Sequence, residues 1–358
     1  MGILTKSFRT SYYQAKYFVD EDQHGMRLDQ FIQIYMESFS REEVKRKIKD
    51  GDVVIKDRPG KHRPNTKLHH RDIVTLTLKK TTQEDEWWNG SLLNLQLKPD
   101  IVFEDDHLIV ISKPAYMAAH PTGKHLFNCA TVYFEEKYEK TIHSIHRLDR
   151  ETSGVMMLAK DPKTAHLMTD QFDKDLVSKC YMFVSKKNED YAQSEFVEEA
   201  RLGTNETGLK RVYINHFDKN STEGKHAKTT FKVLFEEGKY AIGLAFPKTG
   251  RQHQIRVHEM INGLPLVGDK LYLGNFKMFQ RFKDNIASEE DHELMEISRH
   301  ALHAMALKAC YQGQDKVFKT SIPNDLGQLI QSKFSNSIDE IEKELFLEID
   351  NYFTKELR

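Results

Sequence analysis

Hydrophobic residues recur at helical spacing near the start of the chain. In the stretch GMRLDQFIQIYM, Leu28, Phe31, Ile32 and Tyr35 fall on one face, which predicts an amphipathic helix. The next stretch, FSREEVKRKIKDG, opens with an S-x-x-E capping box and ends in glycine, so a second helix is predicted. Two β-type runs, DVVIKD and RDIVTLTL, follow around a polar loop. Residues 25–80 are therefore expected to form one small α/β domain.

From residue 99 to residue 322 the pattern changes to short strands that alternate with helices. The runs DIVFEDDHLIVISKP and AKTTFKVLFEEGKYAIGLAFP each predict two strands around a turn, and GVMMLAK and KCYMFVS predict further strands. The segment DPKTAHLMTDQFDKDL has helical periodicity. No glycine-rich nucleotide loop occurs. This order predicts an α+β domain with much local antiparallel pairing.

Three further segments complete the expected organisation. Residues 1–24 are expected to be an N-terminal extension, and the polar residues 81–98 a linker between the two domains. In residues 323–358 the apolar positions lie mostly four apart, which predicts one or two amphipathic helices. We expect this helical, acidic tail to pack against the larger domain.

Charge is distributed unevenly along a chain whose net charge is −1. Charged residues make up 30% and hydrophobic residues 39% of the sequence, a globular composition. Residues 1–80 hold 17 Lys and Arg against 11 Asp and Glu, whereas residues 281–358 hold 10 against 15. The asymmetry is compatible with a basic RNA-facing module and an acidic tail, and equally with ordinary solvated surfaces.

Cysteine usage and hydropathy bear on the compartment. The three cysteines lie far apart and form no CxxC pair, which argues for a reducing compartment and against a disulfide framework or a thiolate metal site. There is no run of the roughly 20 apolar residues that a membrane span needs, and we see no signal peptide. The protein is therefore expected to be cytoplasmic. It is also expected to be a monomer.

Five ionisable side chains occupy six consecutive positions in SIHRLDRETSGVMMLAK, residues 144–160, just before a run that should be buried. Solvated loops have this pattern, and so do active sites that hold a carboxylate at the rim of a sheet. Two other polar clusters are Tyr181 in KCYMFV and the basic stretch PKTGRQHQIRVHEMINGLPLVGDKLY. Several paired histidines suggest a metal site, but no HExxH or zinc spacing is present. A metal site is therefore not expected.

The stretch HRLDRETSG resembles the signature of the RluA-type pseudouridine synthases. Further blocks resemble the same family in the same order, between residues 103 and 304: FEDDHLIVISKPAYMAAHPTG, KCY, TGRQHQIRVH, GLPLVGDKLY and ALHA. Ahead of them, RLDQFI, SREEVKRKIKDGDVVI and GKHRPNTKLHHRDIVTL resemble the S-four-like (alpha-L) RNA-binding domain.

The resemblance implies both a fold and a reaction. The fold is a mixed, largely antiparallel central sheet flanked by helices, and the reaction is the isomerisation of uridine in RNA to pseudouridine without a cofactor. Asp149 would be the reacting carboxylate and Arg251 the cation that keeps it ionised. Tyr181 would stack on the target base, and Arg147 would enter the space that the flipped base vacates.

The resemblance of the small domain implies phosphate contacts from Arg41, Lys45 and Arg46 of its second helix. It favours large-subunit ribosomal RNA as the substrate and leaves transfer RNA open. Two alternatives remain at this point: a non-catalytic RNA-binding or ribosome-assembly factor, and a metal-dependent RNA hydrolase.

Two features depart from the family pattern. Tyr116 stands where the family usually has a glycine, so the loop after Pro114 is expected to take a different path. The acidic segment 273–298 matches no family motif.

Overall fold

The chain folds into two compact units. The computed structural model describes residues 2–36, 39–80, 84–95, 97–123, 125–204 and 206–355. Unit 1 comprises Met1–Asp85 and His120–Ile142, and unit 2 comprises Glu86–Ala119 and His143–Arg358. Unit 1 is thus larger than the small domain expected at 25–80. Positions 81–83 and 96 of the expected linker lie outside the described residues.

Unit 1 is a four-stranded antiparallel sheet with helices. Its elements are β1 (Ile3–Phe8), β2 (Tyr12–Phe18), α1 (Leu28–Tyr35), α2 (Arg41–Asp50), β3 (Val53–Ile55), β4 (Ile73–Lys79) and α3 (Ala130–Tyr138). The strands lie in the order β1-β2-β4-β3. Residues 1–24, expected as an extension, therefore supply two of the strands. The reason is burial: Ala15 and Tyr17 of β2 are fully buried against the core that Phe31 of α1 shares.

Helix α2 begins and ends where its sequence predicts. The Ser40 hydroxyl accepts from the Glu43 amide at 3.3 Å, and the Glu43 carboxylate accepts from the Ser40 amide at 2.7 Å. Gly51 ends the helix at φ +87°, a conformation that glycine adopts at little cost. Val44 and Ile48 are buried, which leaves the basic side chains on the outer faces.

Unit 2 is built on a central sheet. Its strands are β5 (Trp87–Trp88), β6 (Ser91–Leu92), β7 (Asp100–Glu104), β8 (Leu108–Lys113), β9 (His143–Ser144), β10 (Ser153–Ala159), β11 (Ser178–Lys186), β12 (Glu195–Gly203), β13 (Asn215–Phe217), β14 (Lys225–Glu237), β15 (Tyr240–Pro247), β16 (Leu302–Tyr311) and β17 (Gln314–Lys319). The main path of the central sheet runs β13-β12-β14-β15-β11-β16-β10-β8-β7, with β17 on β16 and β9 on β10, whereas β5 and β6 pair with each other in a separate sheet. Among the described strands of the central sheet, β10 and β16 are the parallel pair and the other pairs are antiparallel. The predicted α+β fold with a mixed, largely antiparallel sheet is confirmed.

Helices cover the sheet of unit 2. They are α4 (Pro162–Asp173), α5 (Gln254–Ile261), α6 (Phe276–Lys283), α7 (Glu289–Met295), α8 (Asn324–Gln331) and α9 (Ile338–Lys355). The apolar residues of α8 and α9, four apart in α9, share one core with β11, β15 and β16. The described part of the C-terminal segment 323–358 therefore packs on the sheet through its apolar stripe.

The acidic segment 273–298 folds into α6 and α7. The first turn of α7 contains Glu289–Asp291, where negative charge favours the positive end of the helix dipole. Arg281 of α6 forms a two-bond ion pair with Asp291 at 2.5 and 2.6 Å. Phe282 stacks on Trp88 with ring centroids 5.7 Å apart. These contacts tie the segment to the β5–β6 hairpin within the same unit.

Candidate active site

The loop between β9 and β10 holds the charged residues of HRLDRETSG, and two buried basic side chains fix its backbone. The side-chain nitrogen of Lys113, fully buried, donates to the Arg150 carbonyl at 3.3 Å, and burial lowers the pKa of this group well below its ordinary value. The guanidinium of Arg299, also fully buried, donates to the Glu151 carbonyl at 3.2 Å. Since the carbonyls of the two residues that follow Asp149 are both held, the backbone on that side of Asp149 is rigid.

Glu151 strengthens the same loop as an ionised structural group. Its carboxylate lies 3.2 Å from the Lys270 ammonium and 3.5 Å from Nδ1 of His300. Burial acts to raise the pKa of the Glu151 carboxyl, but Lys270 and His300 hold the pKa well below its ordinary value. The other imidazole nitrogen of His300 lies 2.7 Å from the Thr152 hydroxyl. Glu151 therefore links the loop to the segment that precedes β16.

Tyr116 also packs against this loop. Its φ is +66°, a left-handed conformation that glycine adopts readily. The Tyr116 amide donates to the Arg150 carbonyl at 2.7 Å, and its hydroxyl donates to Ser298 at 2.7 Å. The Arg150 guanidinium lies over the ring, 5.3 Å from its centroid. Tyr116 therefore has a left-handed backbone conformation at the position where the family usually has a glycine, and its side chain makes contacts that glycine could not make.

Asp149 lies beside one permanent cation. Its Oδ2 is 3.4 Å from Nη1 of Arg256 and 3.8 Å from Nε2 of His253. Burial acts to raise the pKa of the Asp149 carboxyl, but His253, Arg256 and other nearby groups together hold it below its ordinary value. Burial lowers the pKa of His253 itself to about 3, so this ring is neutral near pH 7. Arg256 is therefore the neighbour whose charge keeps Asp149 ionised.

Arg256 is held in place by a second carboxylate. On helix α5, its Nε and Nη2 donate to Asp269 at 2.7 and 2.8 Å, a two-bond pair in which both side chains are buried. Asp269 also accepts from the amides of Leu271 and Tyr272 at 3.0 and 3.1 Å. Because two of the three nitrogens of this planar guanidinium bind Asp269, the third nitrogen is held in a fixed direction. That nitrogen, Nη1, faces Asp149.

The predicted partnership of Arg251 with Asp149 is wrong in this structure. Arg251 is exposed, and its Nε donates to the His226 carbonyl at 3.0 Å. The difference follows from position: Arg251 succeeds the Gly250 turn, whereas Arg256 lies within α5 on a buried stretch. The sequence contained a signal that the second arginine is buried, because in QIRV it lies between apolar residues. A buried cation in turn requires a carboxylate partner such as Asp269.

Tyr181 and Arg147 line the same pocket as Asp149. Tyr181 lies on β11, paired with β15 on one side and β16 on the other. Burial raises the pKa of its hydroxyl, so the ring is neutral. Arg147 is exposed and precedes Asp149 by two residues. The structure therefore brings together Asp149, Tyr181, Arg147 and Arg251 around one pocket, with Arg256 in its wall.

The three predicted RNA contacts of the small domain lie on α2 in unit 1. Arg41 and Arg46 are exposed, and Lys45 is half-buried. The Lys45 ammonium forms an ion pair with Glu42 at 2.7 Å. Arg41 and Lys45 line a shallow depression together with Arg27 of the preceding segment.

The described residues contain neither a metal-binding cluster nor a membrane-spanning helix. Within the ranges that the structure describes, no group of three or more His, Cys, Asp or Glu side chains is arranged to hold a metal ion. Over the same ranges, no helix combines the length and the apolar character needed to cross a membrane.

Comparison with known proteins assigns the family. Residues 107–259 match the family model described as RNA pseudouridylate synthase. The chain is 34% identical over 245 residues to the "tRNA pseudouridine(32) synthase, mitochondrial" of Saccharomyces cerevisiae, covering 68% of this chain and 50% of that protein. It is 31% identical to the "Ribosomal large subunit pseudouridine synthase C" of Buchnera aphidicola, covering 71% of this chain and 79% of that protein.

A solved structure shares the fold. "Human RNA Pseudouridylate Synthase Domain Containing 1" superposes with a TM-score of 0.53 at 21% identity, covering 71% of this chain and 96% of that one. The pocket with its ionised aspartate and the family match together define a class, the RNA-modifying isomerases. The chain belongs to the RNA pseudouridylate synthase family.

Proposed function

We propose that this protein isomerises uridine in structured RNA to pseudouridine with Asp149 as the reacting carboxylate and without a cofactor. In this reaction the bond between ribose C1′ and uracil N1 breaks, and a bond from C1′ to C5 forms. The proton at C5 is lost and N1 gains one, so no electrons are exchanged with another reactant. The observation that carries the proposal is an ionised carboxylate, held by Arg256, in a pocket that Tyr181 shares.

The residues around Asp149 have roles that follow from their chemistry. Arg256 keeps the carboxylate charged, and Asp269 fixes Arg256. Tyr181 offers a neutral aromatic face to a base that has left its stack. A protein that only binds RNA has no requirement for a carboxylate and a buried guanidinium at this distance, which favours catalysis over the assembly-factor alternative.

Replacing one oxygen of the reacting carboxylate tests this proposal. Asp149→Asn keeps the size of the side chain and removes its charge, so we expect pseudouridine formation to fall below detection while the protein stays folded and still binds RNA. The assay is release of tritium from uridine labelled at C5, with circular dichroism and RNA binding as controls. Turnover by a pure Asp149→Asn preparation would overturn the assignment.

For the substrate we propose large-subunit ribosomal RNA. Support comes from the relatives named as large-subunit enzymes and from the helix–helix–sheet arrangement of unit 1, which we propose is an S-four-like RNA-binding domain. The yeast relative, named as a transfer RNA enzyme, favours transfer RNA as the second candidate. The cytoplasmic location and the monomeric state remain predictions.

Mapping pseudouridines separates the two substrates. Total RNA from cells with and without the gene is treated to mark pseudouridine and then sequenced. Loss of sites confined to large-subunit ribosomal RNA would support the first candidate, and loss confined to transfer RNA would replace it with the second.

A further inference from the structure

Besides Arg147, two cations at the pocket form no ion pair with a carboxylate among the described residues. Lys179 and Arg251 both line the pocket that contains Asp149, and neither forms an ion pair within the part of the chain that the structure describes. We refer to these two side chains as the Lys179–Arg251 pair. Asp149 is the one carboxylate among the described residues lining this pocket, and its cationic neighbour is Arg256. The pocket therefore has excess positive charge.

The hydrogen bonds of the Lys179–Arg251 pair leave most of its donors available. The Lys179 ammonium has three protons, and its one described contact is to the Thr249 carbonyl at 3.4 Å. Arg251 uses Nε on the His226 carbonyl at 3.0 Å. Its two terminal nitrogens, with four protons, have no acceptor among the described residues. In Arg256, by contrast, both Nε and Nη2 are committed to Asp269.

The local fold brings the pair to one side of the pocket. Lys179 precedes Tyr181 by two residues on β11, where the pairing with β16 shifts register between Cys180 and Tyr181, and both side chains line the pocket. Arg251 follows Thr249, the residue that Lys179 contacts, in the loop between β15 and α5. Burial lowers the pKa of Lys179; Asp175 acts to raise it, and the nearby charges of Arg251 and Lys248 lower it further. An anion between the two cations would relieve this repulsion.

We propose that the Lys179–Arg251 pair binds the phosphodiester groups that flank the target uridine. The inference rests on the proposed function, because it takes RNA as the ligand of this pocket. A uridine in RNA brings a neutral base and a negatively charged backbone. The base and ribose require Tyr181 and Asp149, and the phosphates require cations that are not already neutralised. The exposed fork of Arg251 suits the bidentate geometry of phosphate, and Lys179 supplies a point charge.

Binding is measured in an Asp149→Asn background so that turnover does not alter the RNA. The probe is fluorescently labelled single-stranded oligouridylate, titrated by anisotropy at several salt concentrations. Each of Lys179→Gln and Arg251→Gln should weaken binding about tenfold and lower the slope of log K against log salt by about 0.7. Lys179→Arg and Arg251→Lys should retain the slope, because they keep the charge. Lys343→Gln, on α9 and away from this pocket, is the control and should change neither quantity.

A second probe identifies phosphate as the ligand. Oligouridylate with uncharged methylphosphonate linkages has the same bases and sugars, so the double variant Lys179→Gln/Arg251→Gln should bind it as well as the parent does. With Asp149 restored, the double variant should raise KM for RNA more than it lowers kcat.

The outcomes separate the inference from the proposed function. An unchanged salt slope in the double variant, or an equal loss in the charge-preserving variants, would overturn the phosphate role even if the parent enzyme makes pseudouridine. Absence of pseudouridine with the parent enzyme on every RNA tested would instead defeat the proposed function, whatever the binding data show.

Discussion

Asp149 and Asp269 share the guanidinium of Arg256, and the two carboxylates use it differently. Asp269 takes two short bonds at 2.7 and 2.8 Å, whereas Asp149 is 3.4 Å from the remaining nitrogen. The pKa of Asp269 is lowered to about 2, since its charged neighbours outweigh burial. Arg256 is thereby fixed by one carboxylate and exerts its charge on the other. We infer that Asp269 is a positioning residue, although it does not face the pocket.

This arrangement predicts a pH dependence at the residue scale. The folded pKa of Asp149 is lowered, so the active, ionised form persists above that pKa and is lost as the pH falls through it. Arg256→Gln removes the stabilising charge and should raise the pKa of Asp149 by about 1–3 units. The acid limb of the kcat/KM profile should therefore move to higher pH. Arg256→Lys should move it less, because the charge is kept.

Arg251→Gln is the matched comparison for that pH profile. Arg251 does not contact Asp149, so this variant should leave the acid limb in place while it weakens RNA binding. Because Arg256→Gln leaves Asp269 buried and unpaired, which costs about 3–5 kcal/mol, profiles are compared only where circular dichroism shows folded protein. An acid limb that moves in Arg251→Gln and not in Arg256→Gln would reverse the assignment of the two arginines.

Asp149 and Tyr181 were predicted as pocket residues through the family resemblance of HRLDRETSG and KCY, and both line one pocket. The sequence did not distinguish Arg251 from Arg256. Five residues separate the two arginines, and the choice depends on whether the helix starts before or after the first of them. That start is set by His253 at φ +54°, a tertiary feature with no local sequence rule. Lys179 was missed for a related reason, since its lack of a counter-ion is visible only in three dimensions.

At the scale of secondary-structure elements, the catalytic loop depends on the close approach of β10 to β16. Gly154 has φ +114°, and a Cβ built there would lie 2.2 Å from the Ala304 carbonyl oxygen. Residues Ser153 and Gly154 pair in parallel with His303 and Ala304. The glycine of HRLDRETSG is therefore required by backbone packing behind the site, and not by the chemistry of Asp149 five residues earlier.

Gly154→Ala should consequently destabilise the fold. The added Cβ would collide with backbone atoms of Ala304, which cannot move aside as a flexible side chain could. We therefore expect a loss above about 4 kcal/mol in the free energy of unfolding. Urea denaturation followed by circular dichroism measures it. Gly238→Ala is the matched control, because Gly238 also has positive φ, +54°, but nothing lies within 4 Å of its added Cβ. The control should lose about 1–2 kcal/mol; equal losses in both variants would show that the contact with Ala304 does not matter.

The hairpins and the amphipathic helices were predictable as elements because their periodicity is local. The pairing of β10 with β16 was not, because the two strands are separated by more than 140 residues in sequence. The same limit explains β1 and β2. In β2 the apolar residues Tyr13, Ala15 and Tyr17 alternate with other positions, but only the presence of α1 and β4 shows that this face is covered.

For the molecule as a whole, the net charge of −1 conceals a division of charge between segments. The excess of Lys and Arg in residues 1–80 falls in unit 1, and the excess of Asp and Glu in residues 281–358 falls in unit 2. Overall charge therefore says little about RNA binding by this chain. The informative quantity is the charge on particular surfaces, of which the outer face of α2 is the clearest in unit 1.

Neutralising that face tests whether unit 1 binds RNA. The variant Arg41→Gln/Lys45→Gln/Arg46→Gln keeps good helix-forming residues and leaves the buried Val44 and Ile48 untouched, so stability should change little. If the three cations contact phosphates of duplex RNA, the slope of log K against log salt should fall by about 0.9 for each contact. Lys45 already has Glu42 as a partner, so we expect a total change of about 2 rather than 3.

The control removes positive charge from the other unit. Lys343→Gln/Lys355→Gln changes two exposed residues of α9, and its salt slope should match that of the unaltered protein. With saturating RNA, the triple variant should retain kcat, because Asp149, Arg256 and Tyr181 all belong to unit 2. An unchanged salt slope in the triple variant would mean that α2 does not face RNA. A loss of kcat at saturation would mean that unit 1 affects the chemical step and not only the capture of the substrate.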